Sequence, residues 1–280
     1  MTSLGASVII ELPSYRSKEI VKMFNKLGVQ LFTIRDFMGD PDFADVAFGK
    51  LKELGYTEAH TAGNAFDAKL FGELLAKHGI SIIGTHYDWN KIVNNVEETM
   101  EIHRMWGTTT VGTGSMPMPP RTNLDELKKY ISDFNKVAEI YAKEGFRLSY
   151  HNHHFEFVRI DGYKTVMDYL YEGLDPATTS FVLDTCWVSA GGGDVVDWME
   201  KLEGRIDILH LKDMTLKLKS NIYQPEICEV GYGNLSWDPI METAKRIGVK
   251  HYVVEQDAFF TKNPFNSLQM SAEFLKKYMD

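Results

Sequence analysis

The chain has 280 residues, 44% hydrophobic and 25% charged, which supplies apolar material for a sizeable core and excludes a disordered chain. Formal net charge is −9, with lysines and arginines scattered rather than gathered into a stripe, so a phosphate-backbone binder is excluded and no nucleic-acid partner is expected. Two cysteines, Cys186 and Cys228, are too few for a disulfide framework or a cysteine zinc site and read as small buried fillers.

The opening residues lack a basic n-region and their longest apolar run is Val8 to Ile10, so neither a signal peptide nor a membrane span is expected. A cytoplasmic location follows as the expectation, although a leader removed upstream would leave no trace. A helix is predicted over 17–27, within a 1–27 extension that closes the bottom of the fold. From residue 28 onward, short β-branched or apolar runs alternate with longer amphipathic stretches. Strands are predicted at 29–33, 57–61, 81–85, 108–112, 147–151, 180–184, 206–211 and 251–255. Helices are predicted at 43–54, 68–77, 93–106, 124–143, 164–171, 195–202, 236–246 and 267–278. Gly55, Gly79, Gly107, Gly145 and Gly248 each stand just before a strand, where a left-handed residue ends the preceding helix.

Eight such units, crossovers long enough for one helix each and no Pro/Gly/Ser-rich linker predict a single α/β domain, a (β/α)₈ TIM barrel over 28–280. The rival doubly wound sheet lacks its G-x-G-x-x-G opening. The stretch 212–234 has little helical period and reads as a long loop on the active face, a lid or a partner contact.

The later strand ends are rich in metal-ligand residue types: SYHNHHFEF, VLDTCW, LHLKD and VVEQD. Side chains at such ends converge on the barrel mouth. His151, Asp184, His210 and Glu255, one from each of four successive ends, form the predicted metal set; mixed imidazole and carboxylate donors suit a divalent ion such as Mn, Zn, Co or Mg. Asp184 alone would more often cap the helix that follows. A metal polarises a carbonyl and a nearby base removes the adjacent proton; Glu156, His153, Glu255 and Lys212 are the candidates for proton transfer. His86 and His60, at the third and second strand ends, and Trp187, beside Asp184, are the candidates for substrate contact, each with a packing role as the plainer alternative. Gly191–Gly193 reads either as a phosphate-cradling turn or as a flexible helix entry.

In order, GVQLFTIRD, YHNHHFEF, LDTCWVSAGGGD, RIDILHLKD, VGYGNLSW and YVVEQD resemble the sugar phosphate isomerase/epimerase family with its xylose isomerase-like barrel, over about residues 28–280. The resemblance implies a metal held by a Glu, Asp, His, Glu set, of which Asp184, His210 and Glu255 match the last three and His151 stands where many members have Glu. Either His151 or Glu156 would be the fifth-strand ligand. His60 likewise stands where an acidic residue is common. The implied activity is a metal-dependent sugar isomerase or epimerase working by proton transfer next to a carbonyl. The alternatives are a lyase or dehydratase acting on a keto-sugar, inositol or keto-glycoside, and a non-catalytic sugar-binding subunit. The expected partner is a small sugar-derived molecule, and a homo-oligomer is compatible with the chain.

Overall fold

The computed structural model describes residues 22–63, 66–259 and 261–280. Strands β1 (Leu27–Gln30), β2 (Tyr56–Thr61), β3 (Ser81–Tyr87), β4 (Thr110–Thr113), β5 (Arg147–His151), β6 (Thr179–Asp184) and β7 (Ile206–Leu211) run parallel in sequence order. The antiparallel pair β8 (Asp213–Lys219) and β9 (Ile222–Cys228) stands apart, and β10 (His251–Val254) closes the barrel between β7 and β1. All eight predicted staves are present, and the predicted bounds of β5 and β7 coincide with those observed.

The described residues form ten α-helices in chain order: α1 (Pro41–Glu53), α2 (Ala68–Lys77), α3 (Trp89–Asn94), α4 (Val96–Trp106), α5 (Leu124–Lys143), α6 (Val166–Gly173), α7 (Thr185–Ala190), α8 (Val195–Lys201), α9 (Trp237–Arg246) and α10 (Pro264–Leu275). Side-chain caps set many of their starts: Asp40 accepts from the Asp42 and Phe43 amides, and Asn123 from those of Asp125 and Glu126. Gly107 ends α4 at φ +72°, and Gly55, Gly79, Gly145 and Gly248 share the left-handed region, as their places before strands require.

Several expectations need correction. Of the helix expected over 17–27, residues 17–21 lie outside the described residues, and the rest is not helical: Phe24 bridges Met279 and stacks on Tyr252 at 4.5 Å, and Leu27 opens β1. The helix expected over 93–106 is two, because Asp88 caps an earlier start at Trp89 and the chain breaks from helical geometry at Asn95 (φ −120°, ψ 49°). The stretch 212–234 is not an irregular loop but carries the β8–β9 hairpin. None of the described helices is long and apolar enough to cross a membrane.

Ile83, Val182, Ile208 and Val253 fill the inside of the barrel. On β6, β7 and β10 the alternation of strand faces puts the side chain two residues further on into the same interior, one layer nearer the mouth. Those residues are Asp184, His210 and Glu255. The strand period therefore turns a run of core valines and isoleucines into a ring of ligating groups.

Candidate active site

One donor atom from each of His151, Asp184, His210 and Glu255 lies within 4.8 Å of the others, and all four residues are buried. His151 Nε2 stands 3.7 Å from Asp184 Oδ2 and 3.9 Å from Glu255 Oε2; His210 Nδ1 stands 3.9 Å and 2.8 Å from the same two oxygens. Two donors on one ion at bond lengths of about 2.0–2.2 Å lie at most about 4.4 Å apart, and these four imidazole–carboxylate distances all fall under that limit. Asp184 does both things its position allowed: Oδ1 accepts from the Trp187 amide at 2.8 Å and caps α7, leaving Oδ2 to the ligand set. Its own amide donates to Asn152 Oδ1 at 2.9 Å, which pins the strand end.

The Lys212 ammonium, 1% exposed, lies 3.1 Å from Asp184 Oδ2, 3.0 Å from Glu255 Oε2 and 2.8 Å from Asp257 Oδ2. Burial disfavours its charge, but the three carboxylates outweigh that and hold it well above the ordinary lysine value. Burial likewise pushes Asp184 and Glu255 up, and Lys212 with the neighbouring histidines pulls both below the carboxylate range. Three carboxylates against one ammonium leave two negative charges, the complement of a divalent cation. Together with the orphaned, buried Nε2 of His151, this charge balance fits the ion the donor types suit.

The proton positions follow from the hydrogen-bond network. His151 Nδ1 donates to the Gly114 carbonyl at 3.1 Å, which leaves Nε2 with its lone pair facing Asp184 and Glu255. Gln30, unremarked in the sequence, faces two of the other rings. The Phe32 amide donates to its Oε1 at 3.2 Å, so its NH₂ faces His60 Nδ1 at 3.2 Å and His86 Nδ1 at 3.3 Å. His86 Nδ1 is thereby an acceptor, and that ring carries its proton on Nε2. His210 Nδ1 donates to the ionised Glu255 Oε2 at 2.8 Å, so its Nε2 accepts from His60 Nδ1 at 2.8 Å. Burial first, then neighbouring imidazoles, holds His60 and His86 well below the ordinary histidine value, so both are neutral. His60, His86 and His210 also form a compact group, but its first two members are set as N–H donors. Gly84 makes room for this arrangement: a Cβ there would lie 2.8 Å from Ile208 Cδ1 and 3.3 Å from the His60 ring.

A cleft of about 450 Å³ opens onto this centre, with His86, His151, His153, Lys212, Glu255 and Asp257 in its wall. His153 packs on His151 and Phe155 and has a buried Nδ1 without a partner; burial pulls its imidazole down to about 3. Glu156 has both oxygens committed instead: Tyr150 Oη donates to Oε1 at 2.5 Å and the His153 amide to Oε2 at 2.8 Å. Burial raises its carboxyl to about 7, and the residue braces the His153 turn from behind. His60 is fully buried behind His210 rather than on the cleft wall. Trp187 places its ring 4.8 Å from the Lys212 ammonium and 5.7 Å from the His153 ring, beside the proton-transfer candidates.

Two glycine motifs are accounted for by packing. In Gly191–Gly193 the Phe157 ring occupies the space a side chain would need at Gly191 and Gly193, with approaches of 2.5 Å and 2.7 Å. In VGYGN, the amides of Gly231 and Gly233 donate to Asp213 Oδ2 at 2.9 Å and 3.1 Å, and a Cβ at Gly233 would collide with Asp213. Cys186 and Cys228 are buried, and burial raises both thiols, that of Cys228 to about 12, in keeping with their reading as fillers.

Residues 48–278 match the model of the xylose isomerase-like TIM barrel family. The chain is 22% identical over 253 residues to an inosose dehydratase of Geobacillus thermodenitrificans, covering 77% of this chain and 83% of that protein. Among solved structures, a sugar phosphate isomerase/epimerase from Parabacteroides distasonis superposes with a TM-score of 0.75 at 23% identity, covering 95% of this chain and 98% of that one. A probable 3-DHS dehydratase from Bacillus anthracis gives 0.68 at 14% identity, covering 90% and 98%. The family match spans most of the eight strand-and-helix units described above, and the chain belongs to the xylose isomerase-like TIM barrel family.

Proposed function

We propose that the protein is a metal-dependent lyase that removes the proton beside the carbonyl of a keto-sugar or keto-polyol and expels the oxygen substituent on the next carbon. The observation that carries this reading is the asymmetry of the cleft. His153 lines the cleft with an imidazole that burial keeps neutral, whereas Glu156 is fully engaged by Tyr150 and the His153 amide. Epimerisation needs an acid and a base on opposite faces of one carbon; elimination needs one base and a route for the same proton to the leaving oxygen. In the proposed step the C–H bond breaks toward His153, the carbon–carbon double bond forms, and the C–O bond breaks. The proton passes to the departing oxygen, so the products are an unsaturated ketone and water or an alcohol.

His151, Asp184, His210 and Glu255 are the residues that would hold the ion, which supplies Lewis-acid polarisation of the carbonyl when bound. Lys212 sets the charge of that wall, and His86, held neutral with its proton on Nε2, donates to a substrate oxygen. Two of the similar proteins, one from Geobacillus and one from Bacillus, carry dehydratase names, which supports elimination as the outcome. The alternative, a sugar isomerase or epimerase, is supported by the near-complete superposition on the Parabacteroides protein.

Incubation of the metal-loaded protein with keto-inositols and keto-glucosides in D₂O, followed by NMR and ultraviolet absorption, separates the two. Elimination produces a conjugated enone, while epimerisation returns deuterated ketone with no enone. Absence of both exchange and enone across the panel overturns proton abstraction altogether.

A further inference from the structure

We propose that the β8–β9 hairpin is a self-association arm whose apolar face packs on the same face of a second copy of this chain across a twofold axis. The register sets Met214 opposite Ile227, Leu216 opposite Pro225 and Leu218 opposite Tyr223. Directly opposed residues of an antiparallel pair share a face, so one face is apolar at all six positions. Thr215, Lys217, Lys219, Ile222, Gln224 and Glu226 occupy the other. Leu216 and Leu218 are each 54% exposed and Tyr223 is 67% exposed, so the barrel beneath does not cover this face.

The hairpin is built to project. Asp213 at its root is fully buried and accepts from the amides of Met214, Gly231, Gly233 and Leu235 and from Trp237 Nε1. Its charges are kept on the opposite face, where Lys217 and Lys219 lie 2.7 Å and 2.6 Å from Glu226. An isolated two-stranded hairpin is marginal in water, and a contiguous apolar patch of a few hundred Å² marks an interaction surface.

A second copy fits this face best. A twofold contact lays an uncharged surface on itself and buries no unpaired charge, and a charged partner would find nothing on the face to pair with. Six side chains presenting roughly 50–150 Å² each give about 500 Å² per copy and about 1,000 Å² for the pair, where specific interfaces begin. That size predicts a reversible, concentration-dependent dimer.

Sedimentation velocity of the full chain from low to high micromolar concentration, with hydrogen exchange of the hairpin amides, tests the proposal. The wild type should shift from monomer to dimer, with residues 213–228 exchanging more slowly at high concentration. Leu218→Asp and, independently, Tyr223→Ser should lower the association constant at least tenfold, while Gln224→Glu on the opposite face should leave it unchanged. A wild type that stays monomeric throughout overturns the proposal and leaves the face to a different protein or to a lipid surface. A dimer that survives both apolar-face substitutions, or whose hairpin amides gain no protection, overturns it as well.

Discussion

Replacing Gln30 by Met keeps the side-chain volume and deletes the amide that faces the His60 and His86 rings. The structure allots that amide one donated bond, to His86 Nδ1 at 3.3 Å, a contact with His60 Nδ1 at 3.2 Å, and one accepted bond from the Phe32 amide. Without it His86 loses the donor that fixes its proton on Nε2, and the His60 ring, which donates to His210 Nε2 at 2.8 Å, loses its neighbour beneath. The loss of such an outer partner costs about 10- to 100-fold in metal affinity, or about 1.4–2.8 kcal/mol. Calorimetric titration of the metal-free protein with Mn²⁺ or Zn²⁺ reads the affinity, and ¹⁵N shifts of the imidazoles read the tautomers without any substrate. An unchanged affinity together with unchanged imidazole shifts in Gln30→Met would refute this account of how the histidines are set.

If His153 is the proton-transfer residue of the proposed elimination, His153→Ala should lower turnover by about 10²- to 10⁴-fold while leaving metal content at the wild-type level; activity assays paired with metal analysis check both halves. Asp213→Ala removes five hydrogen bonds from one buried carboxylate and should loosen the hairpin root, seen as faster amide exchange over 213–228 with little change in the barrel strands. Burial pushes the Asp207 carboxyl up, but Lys250 and Arg147 outweigh it and hold the group below its ordinary value. Its contribution, about 1–2 kcal/mol after allowance for the partly exposed partners, is therefore present at neutral pH and lost as pH falls below ~4. Denaturant unfolding of Asp207→Asn should accordingly show a deficit at pH 7 that closes in acid.

The barrel was legible because its signals were local and repeated: amphipathic helix, left-handed glycine, short strand. The convergence of these strand ends was legible for a related reason, since the strand period alone carries Asp184, His210 and Glu255 inward one layer above Val182, Ile208 and Val253. The hairpin was missed because its turn carries no glycine: Ser220 and Asn221 take φ values of 49° and 66°, and serine gives no warning of a left-handed turn. The first strand was drawn too long because Leu31, Phe32 and Thr33 have the composition of a strand, yet they turn into a 3₁₀ helix once Gln30 is fixed beneath the histidines. Gln30 itself and the third carboxylate, Asp257, were not legible, because their importance lies in which atoms they meet across the barrel. The bond that Tyr150 donates to Glu156 was not legible either, because only the fold brings round a partner six residues away.

The central claim is that one divalent ion is held by the four converging strand-end residues. Equilibrium dialysis against Mn²⁺ or Zn²⁺, with the metal counted per chain, tests it most directly on the wild type and on Asp184→Ala and His210→Ala. The account predicts one ion per chain in the wild type and a large loss in both variants, with the fold of the barrel retained. Full metal occupancy in both variants would contradict it.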